Sequence, residues 1–194
     1  MKLYLQILIA CLFLNCSNKI NNSELELATD YFNAQKEFDK SDLQKLLADN
    51  VEVYYGNDKG FENKKSLIET AGFSYGLNSQ NDLINITQID SNKVELTIAE
   101  SDDLTKHLKI DNVTYKYTYE FKKNQIQKIT LDTIDNPDFN YKQKEIEFNQ
   151  KLNDLMKWVL DKHKDKAELM DKYNNDYKAG KILSKLIKER ENVR

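Results

Sequence analysis

Apolar residues recur along the chain with two different periods, and the period changes from helical to strand-like and back to helical. Ser23 to Glu26 carries the N-cap serine and N3 glutamate of a capping box, and an apolar face at helical spacing follows as far as Phe38. The spacing predicts a long first helix here. Ser41 to Gln44 repeats the start signal and predicts a second, shorter helix that ends near Asp49–Asn50.

The middle of the chain alternates with a period of two, which predicts β-strands with one buried and one wet face. The pattern predicts a first strand, a turn, a third helix, a polar loop and then four further strands. We expect these last four strands to be antiparallel. The spacing of three between Ile126 and Ile129 breaks strict alternation and predicts a β-bulge. In order, these segments are Val51–Tyr55, Gly56–Gly60, Lys64–Ala71, Gly76–Asn81, Leu83–Ile89, Val94–Ile98, Val113–Phe121 and Gln125–Thr133.

From about Tyr141 the helical period returns, and it predicts three further helices. The first carries a stripe that includes Leu152, Leu155 and Val159, the second lies near Asp165–Tyr173, and the third contains Ile182–Ile187. These segments are too apolar for a solvated linker. We therefore expect residues 136–194 to form a helical extension that packs on the preceding domain, beside it, or on a partner.

Composition limits the architecture and the partners of the chain. Its 194 residues, 40% of them apolar, are enough for one ordinary core. Lysine and arginine total 29 against 32 acids, with both signs interspersed, which argues against a nucleic-acid partner. Cys11 and Cys16 are the two cysteines, so the rest of the chain has no disulfide, thiolate metal site or cysteine nucleophile.

The first sixteen residues have the form of an export leader. A cationic start precedes an apolar run from Leu3 to Leu14, interrupted at Gln6, and the chain then turns polar. As a helix this run would be about 18 Å long, too short for a bilayer core of about 30 Å. A spanning anchor is therefore not expected.

Phe13 to Cys16 resembles a bacterial lipobox, although Asn15 departs from the small residue usual before the cysteine. The resemblance implies cleavage before Cys16, a lipid on that cysteine, and residues 17–22 as a tether to the membrane. Modification of Cys11 and an ordinary cleaved signal peptide are the alternatives. In each case the domain is expected in the cell envelope, outside the cytoplasm, in the periplasm or at the outer membrane.

The order helix, helix, strand, helix and four strands resembles the nuclear transport factor 2-like (NTF2-like) superfamily, which includes SnoaL-like cyclases and ketosteroid isomerase. The likeness is carried by Tyr31–Ala34, Asp42–Val51, Gly60–Lys64 and Tyr117–Asp132, and it covers residues 23–135. It implies an α+β cone in which a curved antiparallel sheet wraps the long first helix. Family members differ widely in activity, so the likeness implies no single function.

The resemblance also implies a pocket between the first helix and the sheet. Five tyrosines would line it, namely Tyr31, Tyr55, Tyr115, Tyr117 and Tyr119. A phenol offers a ligand an apolar face and a hydrogen-bonding tip. Aromatic residues at alternating strand positions also suit the plain core of any half-buried sheet, and that alternative stays open.

Few residues are candidates for catalysis. Isomerases and cyclases of the resembled family use a carboxylate or histidine among pocket tyrosines, whereas Asp102, Asp103 and His107 fall in a polar connection that we interpret as a solvated loop. His163 lies between lysines and is interpreted as a surface residue. With two histidines and no HExxH, GxSxG, P-loop or GxGxxG motif, the sequence predicts no metal and no cofactor.

Three hypotheses for function follow from the sequence. The first is a membrane-anchored envelope lipoprotein that binds a small apolar ligand or a protein partner without catalysis. The second is an isomerase or cyclase that uses a pocket carboxylate and a tyrosine, which requires an acid within hydrogen-bond reach of a cavity tyrosine. The third is a purely structural module in which the C-terminal helices form a docking surface, with a homodimer across the sheet as one form of it.

Overall fold

The computed structural model describes residues 23–60, 62–110, 113–133, 141–173 and 176–192. The predicted leader and tether, with Cys11 and Cys16, lie outside the described residues. The helices are α1 Glu24–Glu37, α2 Lys40–Leu46, α3 Lys64–Gly76, α4 Asp103–His107, α5 Tyr141–Lys162, α6 Lys164–Lys172 and α7 Tyr177–Asn192. The strands are β1 Leu47–Tyr55, β2 Asp58–Lys59, β3 Gln80–Asp90, β4 Lys93–Ser101, β5 Val113–Lys122 and β6 Gln125–Thr133.

The first helix begins where the sequence predicts. The Ser23 hydroxyl accepts a hydrogen bond from the backbone N–H of Glu26 at 3.3 Å, and the Glu26 carboxylate accepts the N–H of Ser23 at 3.0 Å. The predicted capping box is thereby confirmed. The helix stops at Phe38, whose left-handed backbone (φ 55°) directs its N–H to the last carbonyls of α1.

The second helix differs from the prediction at both ends. Its N-cap is Asp39, whose carboxylate accepts the N–H groups of Ser41 and Asp42, so the predicted start at Ser41 is wrong by two residues. The helix ends at Leu46, before the predicted Asp49–Asn50. The chain enters β1 directly at Leu47 because Leu47 and Val51 face the core and are buried there.

The six strands form one sheet in the order β2-β1-β6-β5-β4-β3. The hairpins β3–β4 and β5–β6 and the pair β4–β5 are antiparallel, as predicted. The segment Gly56–Gly60, predicted as a turn, also contains the short strand β2, which pairs antiparallel with β1. The register of β5 on β6 shifts between Glu120 and Phe121, opposite Lys128 and Ile126, which confirms the predicted bulge. The α+β cone expected from the family resemblance is confirmed, with this sheet packed around α1.

One strand pair departs from the expected antiparallel sheet. β1 runs parallel to β6, with Val53 paired to Ile129 and Tyr55 to Leu131. The two strands are far apart in the chain, so no tight turn fixes their relative direction. The sequence therefore gives no local signal for this pairing.

The main core lies between α1 and the concave face of the sheet. Tyr31 from α1 and Tyr119 from β5 are each 1% exposed, and they meet in the middle of this layer. The remaining buried members are apolar side chains of α1, α2, α3 and four strands. They are Leu27, Ala28, Phe32, Ala34, Leu43, Leu47, Val51, Val53, Ile68, Ala71, Val94, Leu96, Ile98, Phe121, Ile126 and Ile129.

A second core joins the C-terminal helices to the domain. Leu155 and Val159 of α5 and three residues of α7 pack against the end of α3 and the α4 region. The nine buried members are Leu77, Leu104, Leu108, Ile110, Leu155, Val159, Leu183, Leu186 and Ile187. The extension therefore buries apolar surface of its own against residues that precede β5 in the chain.

Two glycines allow α7 to approach α3 closely. A Cβ added at Gly180 would lie 2.2 Å from the carbonyl oxygen of Phe73, and one at Gly76 would lie 2.4 Å from that of Tyr177. Real side chains do not tolerate such distances. The helices therefore cross with backbone against backbone, which requires the absence of a side chain at both positions.

The region around the predicted polar loop is more regular than expected. α3 continues to Gly76 rather than stopping near Ala71, because Gly76 is buried against the backbone of α7. The connection after β4 contains a short helix, α4, in place of the solvated loop that the sequence indicates. Its N-cap is Asp102, and Leu104 is buried in the second core.

Candidate functional site

A cavity of about 240 Å³ lies inside the cone, between α1, α3 and the concave face of the sheet. Its walls are mainly apolar or aromatic, and its polar residues come from α1, the end of α3 and the start of β3, with Glu100 from β4. The lining residues are Tyr31, Phe32, Gln35, Val53, Tyr55, Leu67, Thr70, Ala71, Ser74, Ser79, Asn81, Ile98, Glu100, Tyr117, Tyr119, Ile129 and Leu131. We call this space the cone pocket.

The cone pocket contains a carboxylate that is bonded to a tyrosine. The Tyr117 hydroxyl donates a hydrogen bond of 2.6 Å to Glu100 Oε1. Glu100 comes from β4 and Tyr117 from the adjacent β5, so both side chains are held by a paired, antiparallel ladder. The site thus rests on rigid strands rather than on loops.

The pocket changes the acidity of both partners. Burial raises the pKa of the Glu100 carboxyl above its usual 4.5, and the negative charge of Asp102 raises it further. The hydrogen bond from Tyr117 lowers this pKa, but by less than burial raises it. Burial, followed by the neighbouring negative charge of Glu100, raises the pKa of Tyr117 well above 10.0. Tyr117 is therefore a neutral hydrogen-bond donor, and Glu100 holds its proton more readily than an exposed glutamate.

Two other tyrosines form the floor of the cone pocket. The rings of Tyr31 and Tyr119 meet edge to face, with centroids 5.3 Å apart and planes at 88°. Burial raises the pKa of both phenols, so both remain protonated. Neither hydroxyl has a hydrogen-bond partner among the described residues, although buried tyrosine hydroxyls usually find one.

The remaining predicted tyrosines lie further out. Tyr55 lines the cone pocket but is 48% exposed, and its hydroxyl donates to Glu62 Oε1 at 2.7 Å. Burial, with Glu62 as a second cause, raises the pKa of Tyr55 to about 12. Tyr115 lines a neighbouring depression of about 80 Å³ that shares Glu100 with the cone pocket. The structure thus brings four of the five predicted tyrosines to one pocket and places Tyr115 beside it.

The acidic residues singled out in the sequence have structural partners. The Asp102 carboxylate caps α4 by accepting the N–H of Thr105 at 2.7 Å. Asp103 accepts hydrogen bonds from Ser184 at 2.6 Å and from Asn78 at 2.7 Å. Although burial alone would raise the pKa of Asp103, these two bonds and Lys188 hold it below its usual value.

Both histidines contact glutamates of α7. His107 Nδ1 lies 3.0 Å from Glu191 Oε1, and its side chain is buried. His163 Nε2 lies 3.3 Å from Glu189 Oε1, and its ring packs on Trp158. These contacts connect α4 and the α5–α6 junction to the last turns of α7. They lie outside the lining of the cone pocket.

Sequence reasoning missed Glu100, although a signal was present. Val94, Leu96 and Ile98 are buried at alternating positions of β4, and extending that alternation by one step places Glu100 on the same concave face. The predicted strand stopped at Ile98 because its apolar residues stop there. A charged residue at the next inward position is the feature that distinguishes a polar pocket from a plain core.

The described residues hold no group of three or more histidine, cysteine, aspartate or glutamate side chains arranged to bind a metal ion. Within the same part of the chain, no helix combines the length and the apolar character needed to cross a membrane.

Comparison with known proteins gives similar folds at low sequence identity. No protein-family model matches the chain, and no curated protein matches it. An NTF2-like protein of unknown function from Cytophaga hutchinsonii is 11% identical to this chain. The match covers 56% of this chain and 87% of the Cytophaga protein, with a TM-score of 0.44. An LEH-like epoxide hydrolase from M. tuberculosis is 12% identical over 69% of this chain and 95% of its own, with a TM-score of 0.48.

A de novo designed protein with a curved β-sheet is similar to the same degree, at 15% identity over 69% of this chain and 97% of its own, with a TM-score of 0.48. Function has to be argued from the residues of the cone pocket.

Proposed function

We propose that this protein is an envelope protein whose cone pocket binds a small molecule with an apolar body and one hydrogen-bonding group. The observation that carries the proposal is the buried Glu100–Tyr117 pair in an otherwise largely apolar cavity. Leaving a carboxylate in such a place is costly unless its interaction with a ligand compensates for the loss of water. The hydroxyls of Tyr31 and Tyr119 add two donors without a protein partner among the described residues.

The size of the cone pocket limits the ligand. A cavity of about 240 Å³ lies just below the roughly 300–1,000 Å³ typical of small-molecule sites. It suits one or two fused rings or a short acyl chain. The apolar side chains would enclose the body of the ligand, and its polar group would meet Glu100 or a tyrosine hydroxyl.

A thermal-shift screen of the full chain against cyclic ketones, phenols, short fatty acids and envelope lipid extracts tests the binding proposal. Calorimetry on any hit then compares the wild type with Tyr119→Phe and with Glu95→Gln. Glu95 lies on the same strand as Glu100 and pairs with Lys116 at 3.5 Å, so its replacement is a matched control. We expect Tyr119→Phe to weaken binding about 5- to 100-fold and the control to leave it unchanged.

Two outcomes would contradict the binding proposal. One is the absence of any hit together with a crystal structure in which the cone is filled by side chains. The other is a hit whose affinity is insensitive to Tyr31→Phe, to Tyr119→Phe and to Glu100→Gln, because such a ligand binds elsewhere.

A second candidate function, proton transfer within the same pocket, is favoured by the raised pKa of Glu100. A carboxylate shielded from water and placed next to a neutral tyrosine donor is the arrangement needed to take a proton from carbon beside a carbonyl. The tyrosine hydroxyls would stabilise the negative oxygen that forms. This candidate extends ligand binding to isomerase or cyclase chemistry.

Hydrogen–deuterium exchange at the α-carbon of a bound ketone, followed by NMR in D₂O, separates catalysis from binding. Catalysis predicts protein-dependent exchange that Glu100→Gln abolishes while binding persists. Binding without exchange in the wild type would exclude proton transfer for that ligand and leave the first proposal intact.

The membrane anchor is a separate part of the proposal. The lipobox-like sequence before Cys16 supports it, and mass spectrometry of the mature N-terminus tests it. We expect a chain that begins at an acylated Cys16 and a Cys16→Ser variant that is released from membranes. Retention of Met1, or acylation of Cys11 instead, would contradict this assignment.

The homodimer hypothesis has less support from the outer face of the sheet. That face carries ion pairs rather than an apolar patch, including Lys116–Glu95 and pairs of Lys93 and Lys128 with Glu120 at 3.3–3.4 Å. Homodimer interfaces are usually more apolar than this. Light scattering at several concentrations tests the hypothesis, and a dimeric mass that is lost in a Thr118→Glu variant would support it.

A further inference from the structure

A second concavity, of about 510 Å³, lies outside the cone between α7 and the end of α3. Three lysines of α7 line one side of it, at positions 181, 185 and 188, and the segment from Tyr75 to Gln80 lines the other. The spacing of four and three residues places the lysines on one face of the helix. We call this space the α3–α7 groove.

The cations of the α3–α7 groove are mostly uncompensated. Lys188 contacts Asp103 at 3.2 Å, whereas Lys181 and Lys185 have no carboxylate partner among the described residues. Lys181 Nζ instead donates to the Tyr177 hydroxyl at 3.1 Å. Asp103 thus compensates one of the three groove lysines and leaves the other two without a carboxylate partner among the described residues.

The opposite wall offers neutral hydrogen-bonding groups at fixed positions. Asn78 is held by hydrogen bonds from its amide to Asp103 and to Ser184, and Lys106 donates to the Gln80 side-chain oxygen at 2.9 Å. The Ser79 hydroxyl has no partner among the described residues. The ring of Tyr75, 43% exposed, borders this wall.

We propose that the α3–α7 groove binds a phosphate monoester, with Lys181 and Lys185 contacting the phosphate and Tyr75 contacting the organic group. A monoester carries close to two negative charges at neutral pH, which matches the two groove lysines that have no carboxylate partner among the described residues. Lysine is a compact cation that suits phosphate oxygens. The groove borders the cone pocket at Ser79, but Lys181 and Lys185 lie outside the cone pocket, so this proposal does not depend on the function of that pocket.

The phosphate group could belong to a soluble metabolite or to a lipid headgroup. Phe38, which follows the last residue of α1, stacks on Tyr177 with ring centroids 6.1 Å apart, so the groove lies at the C-terminal end of that helix. The proposed tether connects to Ser23, at the other end of α1. The 14 residues of α1, at roughly 1.5 Å per residue, separate Ser23 from the groove by about 20 Å. This separation favours a soluble ligand over the membrane surface next to the anchor.

Calorimetric titration of the full chain, purified in a neutral detergent, tests the proposal. The probes are phenyl phosphate, phenol as the uncharged control, and soluble dihexanoyl phosphatidic acid, which is a lipid phosphate monoester. The test variant carries both Lys181→Gln and Lys185→Gln. The control variant carries both Lys122→Gln and Lys123→Gln at the β5–β6 turn, so it loses the same charge at a different place. All four lysines are exposed, so we expect each variant to melt close to the wild type.

We expect phenyl phosphate to bind, phenol not to bind, and the groove variant to lose at least about tenfold in affinity. The control pair should stay within about twofold, and added NaCl should weaken binding. Binding of the lipid probe alone would assign the same phosphate site to a headgroup. If neither phosphate binds, or if both lysine pairs weaken binding equally, the proposal is wrong. Should the double variant unfold, the single Lys185→Gln change provides the same comparison.

Discussion

Replacing Glu100 by glutamine should make the protein more stable at neutral pH and leave it unchanged in acid. Glutamine has nearly the same shape, is uncharged, and still accepts the hydrogen bond that Tyr117 donates at 2.6 Å. The substitution therefore removes the charge while keeping the contact. Its effect measures how unfavourable the ionised carboxylate is inside the cone.

The sign of the pH dependence follows from the direction of the pKa shift. Burial raises the folded-state pKa of Glu100 above the 4.5 expected when the chain is unfolded. Below 4.5 the residue is protonated in both states and costs nothing. As the pH rises towards the folded pKa, the unfolded chain releases its proton first, so the free energy of unfolding falls; above the folded pKa the loss is complete.

The size of the effect scales with the shift. Each unit between the folded and unfolded pKa corresponds to about 1.4 kcal/mol. For a chain of this length, about 1 kcal/mol changes the melting temperature by roughly 2–4 °C. We therefore expect Glu100→Gln to raise the melting temperature by a few degrees at pH 7 and to match the wild type near pH 4.

Thermal melts followed by circular dichroism from pH 4 to pH 8 provide the assay, with Glu95→Gln as the control on the solvent-facing side of the same strand. The control should show no gain at pH 7, because the Glu95 charge faces Lys116. A stability difference between Glu100→Gln and wild type that does not change with pH would refute the reasoning. So would a variant that is less stable at neutral pH, because the ionised carboxylate would then be favourably placed.

Three further predictions test the packing and the pocket. In urea titrations, Gly180→Ala should lower the free energy of unfolding by at least about 1–3 kcal/mol, because the added Cβ would meet the Phe73 carbonyl. The control, Lys178→Ala at an exposed position of the same helix, should change it by less than about 0.5 kcal/mol. Equal effects would argue against close helix contact. Tyr119→Phe should cost less than about 0.5 kcal/mol in urea titrations, and a larger loss would show that its hydroxyl has a protein partner. Ser23→Ala should cost about 1 kcal/mol and increase hydrogen exchange in the first turn of α1; unchanged exchange would mean that the cap contributes nothing.

The elements that sequence reasoning placed correctly are those with strong local patterns. The capping box at Ser23 and the alternation of Val113–Phe121 depend on neighbouring residues, and the structure has both a helix and a strand there. The bulge near Ile126 was likewise visible as a break in the period. Local hydrogen bonding and burial on one face determine such features.

The features that sequence reasoning missed depend on distant residues. The parallel pairing of β1 with β6 joins segments that are distant in sequence, and the last turn of α3 is stabilised by contact with Gly180 of α7. The end of α2 was misplaced because Leu47 suits a strand buried in the core as well as it suits a helix face. Tertiary burial decided these cases.

The candidate site was predicted only in part. The family resemblance implied that Tyr31, Tyr117 and Tyr119 line a pocket between the first helix and the sheet, and all three do line the cone pocket. Glu100 follows the last apolar residue of its strand, and its inward direction depends on how far β4 extends. A pattern defined by apolar residues overlooks a charge at its end.

The most direct test of the central claim is a crystal structure of the protein bound to a ligand from the thermal-shift screen. We expect the ligand inside the cone, with its polar group within about 3 Å of the Glu100 carboxylate or of the Tyr31 or Tyr119 hydroxyl. A ligand on the outer face of the sheet, with side chains filling the cone, would contradict the proposed function.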